Sequence, residues 1–93
     1  VDHNAFPALG LAARAGRAGG VHPAWYNASN EVFVDAFHDG HITFTAISDG
    51  LAAALDKADQ LNVENNATGG LTLEQVLEAD AHARTWAHEW VNA

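Results

Sequence analysis

The stretch Pro23-Ala24-Trp25-Tyr26-Asn27-Ala28-Ser29-Asn30-Glu31-Val32-Phe33-Val34-Asp35-Ala36-Phe37 decides the fold. Its apolar residues recur at helical spacing. Trp25, Ala28, Ser29, Val32 and Ala36 share one face, Tyr26, Phe33 and Phe37 widen it, and Asn27, Glu31, Asp35 and His38 form a polar stripe. The pattern predicts a helix from His22 or Pro23 to about His38, closed by Asp39-Gly40, where glycine supplies the left-handed cap. So wide an apolar arc predicts a central helix, packed on more than one side.

Outward from that helix, Phe6-Pro7-Ala8-Leu9-Gly10-Leu11-Ala12-Ala13-Arg14-Ala15 reads as a first helix, with Pro7 near its start and Gly19-Gly20 ending it. Leu9, Ala12, Ala13 and Gly16 are expected to face the core. Ile42-Thr43-Phe44 reads as a short extended connector. A third helix follows, capped by Thr45 or Ser48, burying Ile47, Leu51, Leu55 and Ala58, and ending near Asp59 or Leu61. Asn62 to Gly70 is poor in apolar residues and reads as a surface loop. Thr72-Leu73-Glu74-Gln75 has the capping-box pattern, so a fourth helix starts there and runs to Val91 or beyond, burying Leu73, Val76, Leu77, Ala83, Ala87 and Trp90. Four helices with short connections predict an all-α domain, a small antiparallel four-helix bundle.

Composition narrows the function. The 93 residues make one domain with a small core. Four Lys+Arg against twelve Asp+Glu, a formal charge of -8, leave no basic patch for nucleic acid or for an anionic membrane surface. With no cysteine there is no disulfide, thiolate metal site or cysteine nucleophile, as suits a reducing cytoplasm. No apolar run reaches the roughly 18–20 residues of a membrane span. The chain opens on Val1 and holds no methionine, so it reads as part of something longer.

Motifs for chemistry are weak. His38-Asp39-Gly40-His41 has H-x-x-H spacing, but Gly40 ends the helix between the two rings, and surface histidines are the simpler reading. Gly16-Arg17-Ala18-Gly19-Gly20 follows a helix where a phosphate loop precedes one, so the wrong end of the dipole faces any anion. No residue is singled out as catalytic, cofactor-binding or metal-ligating. What remains is a polar set with structural roles: Asn27, Asn30 and Glu31 on the central helix, Asp80 and Arg84 on the last. Asp80 and Arg84 have the acid-first order of an i, i+4 pair, and Arg84 is alternatively placed to tie the last helix to a neighbouring backbone. Asn30, at the margin of the apolar face, is expected to hold a free backbone group at an end of the first or third helix.

Several of these motifs occur together and in order in one family. Phe6-Pro7-Ala8-Leu9, Gly16-Arg17-Ala18-Gly19-Gly20, the run from Asn27 to Glu31, Ala36-Phe37, Ile42-Thr43-Phe44-Thr45-Ala46-Ile47 and Val76-Leu77-Glu78-Ala79-Asp80-Ala81-His82-Ala83-Arg84 make the chain resemble the C-terminal helical domain of bacterial 1-deoxy-D-xylulose 5-phosphate reductoisomerase. The Gly-Arg-Ala-Gly-Gly turn and the long loop resemble its actinobacterial branch. Ser29 departs from the family's usual alanine. The resemblance implies residues 1–93 as a single C-terminal domain of a larger cytoplasmic enzyme, a homodimer that rearranges and reduces its substrate in isoprenoid biosynthesis, with NADPH and Mg2+ or Mn2+. It implies too that the catalytic domain of the same chain is this domain's partner. The family's D-S-E metal ligands and its N-K-x-x-E run do not occur in these residues, so no cofactor is expected in this portion. A second reading is a free-standing acidic interaction module anchored by Trp86 and Trp90.

Overall fold

The computed structural model describes residues 7–64 and 72–93, as four α-helices: α1 (Pro7–Ala18), α2 (His22–His38), α3 (Phe44–Glu64) and α4 (Leu73–Asn92). The all-α architecture is as expected, and α2 is the central element, in contact with each of the other three helices. Phe6 and residues 65–70 of the expected loop lie outside the described residues, as does the side chain of Leu9.

Local chemistry sets the helix ends. Gly19 and Gly20 both take positive φ, 64° and 58°, and reverse the chain between α1 and α2. At the end of α2, Gly40 at φ 78° lets its own N–H reach the Phe37 carbonyl and the His41 N–H reach the Ala36 carbonyl, the paired bonds of a Schellman motif. Thr72 and Gln75 form the expected capping box, each side-chain oxygen accepting the other's backbone N–H at 3.1 and 2.9 Å. For α3 the cap is Thr43, whose Oγ1 accepts the Ala46 N–H at 3.2 Å, and not Thr45 or Ser48. The connector is correspondingly shorter than expected: Phe44 is already helical, and α3 runs on through Glu64 and takes in Asn62.

Two layers of side chains fill the core. In the first, Trp25 and Ala28 of α2 meet Ala54 and Ala58 of α3 and Ala79 and Ala83 of α4. The alanines let three backbones approach, and the Trp25 indole, 1% exposed, fills the space between them. In the second, Val32 and Phe33 meet Ile47, Leu51 and Ala87, with Leu11 of α1 packed alongside. Burying Trp25, Phe33, Leu51 and Leu55 contributes about 1.5–3 kcal/mol each. Residue numbers rise together along α2 and α4 through both layers while those of α3 fall. Consecutive helices are thus antiparallel, but α4 packs chiefly on α2, to which it runs parallel. The reason is aromatic. Trp25 and Phe33 meet His82, Trp86 and Trp90 edge-on at centroid separations of 5.1–6.3 Å, a row of rings that α3 has no counterpart for.

Two helix faces differ from expectation. On α1 the buried side is Leu11 and Ala15, whereas Ala12, Ala13 and Gly16 are exposed. Alanine carries too little area to fix a face, and Arg14, reaching Asp56 at 3.0 Å and Asp59 at 2.6 Å on α3, turns α1 instead. On α4, Leu73 and Leu77 are 74% and 60% exposed. Ala79 and His82 are already level with Trp25, so the start of α4, from Leu73 to Leu77, overhangs the end of the bundle.

Candidate functional site

The polar residues assemble into two clusters. In the first, Arg84 on α4 is bound by two carboxylates. Its Nε donates to Asp80 Oδ2 at 2.8 Å within the helix, and its Nη2 lies 2.5 Å from Glu31 Oε2 across on α2. Asp80 first and Glu31 second hold the guanidinium above its ordinary basicity. The partner of Arg84 on the neighbouring helix is therefore a side chain and not a backbone carbonyl, because Glu31 rises from α2 at the level where Arg84 emerges from α4. Asn27 is exposed one turn before Glu31. Asn30 is half-buried and makes no side-chain hydrogen bond to another described residue, so it ties down no described helix end.

The second cluster was not anticipated from the sequence. His22, the first residue of α2, is 2% exposed. Its Nε2 lies 2.6 Å from Asp59 Oδ1 on α3, and its Nδ1 lies 3.2 Å from the Gly19 carbonyl oxygen. The other oxygen of Asp59 accepts from Arg14 Nη2 at 2.6 Å. His22 first and Arg14 second hold the Asp59 carboxyl below the usual carboxylate range. Both neighbours of the imidazole are acceptors, so the two bonds form together only when the ring carries two protons. The His22–Asp59 pair has the composition of a general-base dyad. Its geometry is that of a lock, since both ring nitrogens are occupied and no edge faces a substrate. No short-range signal in the sequence points to this cluster, whose members are 37 and 45 residues apart.

The remaining candidates are dispersed. His38 and His41 are exposed on either side of Gly40, and among the described residues no group of three or more His, Asp or Glu could hold a metal ion. No described helix is long and apolar enough to cross a membrane. Trp86 and Trp90 are half-buried against Trp25 and Phe33, so the anchors of a free-standing interaction module are instead part of the core. Among the described residues, the large apolar side chains that are exposed are Phe37, Phe44, Leu73 and Leu77.

Comparison with known proteins places this geometry in context. Residues 1–86 match the family described as DXP reductoisomerase C-terminal domain. Proteins named 1-deoxy-D-xylulose 5-phosphate reductoisomerase are similar along nearly the whole chain. That of Nocardia farcinica is 47% identical over 100% of the chain and 22% of its own length. That of an Arthrobacter species is 45% identical over 96% of the chain and 21% of its own length. The likeness extends beyond actinobacteria to Acinetobacter baylyi, 45% identical over 98% of the chain and 21% of the relative. The chain thus spans about a fifth of the length of these relatives. No solved structure matches it.

Proposed function

The chain belongs to the DXP reductoisomerase C-terminal domain family, and from that membership we propose that it serves as the non-catalytic helical domain of a 1-deoxy-D-xylulose 5-phosphate reductoisomerase. The parent enzyme converts that substrate to 2-C-methyl-D-erythritol 4-phosphate in isoprenoid biosynthesis, using NADPH and Mg2+ or Mn2+, in the cytoplasm and as a homodimer. The observation that carries the reading is coverage: almost every residue here aligns with about a fifth of each relative, so the chemistry falls to the four fifths that these residues do not represent. Within the parent, the helical domain packs against the catalytic domain of its own chain and holds it in place. The charged clusters suit that role. Arg84 between Glu31 and Asp80, and Asp59 between Arg14 and His22, fasten helix to helix and present no reactive atom.

The test is the native protein that carries these residues. A product several-fold larger, with a dinucleotide-binding segment upstream and NADPH-dependent turnover of 1-deoxy-D-xylulose 5-phosphate, is expected. In it, Glu31→Gln and Arg84→Gln should leave kcat and KM unchanged while lowering the melting temperature. A native product of about 93 residues, or a larger one without that turnover, would overturn the assignment.

A further inference from the structure

We infer that the ring pair Phe37–Phe44, at the corner where α2 passes to α3, is the surface on which the preceding part of the parent chain docks; this rests on the reading of the chain as a C-terminal domain. Phe44 is 71% exposed and Phe37 is 37% exposed, and the two rings stand edge-on with centroids 5.7 Å apart. A single exposed phenylalanine is ordinary, whereas two packed edge-on against each other in water form the start of an apolar patch. Their helices hold them there: Phe37 lies one turn beyond the buried Phe33, and Phe44 is the first residue of α3, before the buried Ile47. The pair therefore extends the second core layer outward, unlike the rings of Trp86 and Trp90, which face inward.

The direction of α1 identifies the occupant. Between the Gly19-Gly20 turn and Leu11, α1 runs back along α2, and Leu11 packs against the layer of Val32, Phe33, Ile47 and Leu51. Pro7, one turn further along α1, thus lies at the end of the bundle that carries Phe37 and Phe44. The relatives are more than four times the chain's length and the family is that of a C-terminal domain, so the additional polypeptide arrives at this end. Asp35, Asp39 and Asp49, on the same end of α2 and start of α3, are exposed as well. The complementary surface is accordingly an apolar depression. Leu73 and Leu77 overhang the opposite end.

Hydroxyl-radical footprinting of the full-length parent tests this directly, comparing Phe37 and Phe44 in the folded protein with the same residues in denaturant. Strong protection of both rings is expected. In the same full-length protein, Phe44→Asp should split one cooperative thermal transition into two, while Phe44→Leu keeps it single. Phe44 is too exposed for the substitution to unfold the helical domain itself, so the split reports loss of docking. Oxidation of both rings at the unfolded rate, or a single transition in Phe44→Asp, overturns the inference and leaves the parent assignment standing. So does a split produced by Leu77→Asp and not by Phe44→Asp. A native protein of only this length overturns the assignment itself.

Discussion

The hydroxyl of Ser29 is fully buried on α2 and has no hydrogen-bond partner among the described residues. An unsatisfied buried group costs about 1–3 kcal/mol, and removing it leaves only a small void. Ser29→Ala is therefore expected to stabilise the domain by about 1 kcal/mol, raising the melting temperature by about 4–8 °C; an unchanged or lower value would mean the hydroxyl has a partner. Gly50 carries the opposite lesson. A Cβ built there would stand 2.7 Å from two ring carbons of Phe33, so α2 and α3 meet at glycine and nothing larger. Alanine would add roughly 1 kcal/mol of helix propensity, but forcing the ring aside costs about 1–3 kcal/mol. Gly50→Ala should be net destabilising in urea unfolding, and less so when combined with Phe33→Leu. The sequence marked Ser29 as a departure from the family without disclosing that its hydroxyl is stranded. Gly50 drew no notice at all, because the ring that makes it necessary belongs to another helix.

Helix ends and helix faces were legible to different degrees. The capping box of α4 and the glycine stop of α2 depend on residues within a few positions of one another, and both were read correctly from the sequence. The faces of α1 and of the start of α4 depend on partners elsewhere, and both were misread. For α1 the deciding contact is Arg14 with Asp56 and Asp59, with Asp59 bound in turn by His22. This cluster gives α1 a pH dependence of definite sign. The folded state holds the Asp59 carboxyl below its ordinary value, chiefly through His22 and then Arg14, so the folded protein binds that proton less readily than the unfolded chain. The stabilisation is complete above the unfolded value of about 3.9 and is lost as pH falls below it, through the folded value. Asp59 is half exposed, so the loss is modest. Urea midpoints measured at falling pH should drop for the wild type below about pH 4, and the Asp59 component of that drop should vanish in Asp59→Asn. Equal acid slopes in the two proteins would show that the carboxylate is not engaged.

As a whole, the molecule is organised around α2, as its wide apolar arc indicated, but the arrangement of the others about it was not legible. Periodicity reports how much of a helix is buried without reporting against which neighbour. Phe33 is where the arrangement is decided: it presses on Gly50 of α3 and meets Trp86 and Trp90 of α4 at centroid separations of 6.3 and 5.1 Å. Truncating a buried phenylalanine costs about 3–5 kcal/mol, set against a total of roughly 5–15 kcal/mol for a domain. Phe33→Ala should therefore remove a large part of the stability and release α3 and α4 together. Peripheral Ala12, exposed on α1, should tolerate Ala12→Ser with little change. In a full-length parent the two effects separate cleanly. Phe33→Ala is expected to shift tryptophan emission to the red at lower temperature, as Trp86 and Trp90 become solvated. Retention of native emission and of the wild-type melting temperature would mean that α4 is held by contacts other than the aromatic row, and the central position assigned to Phe33 would have to be given up.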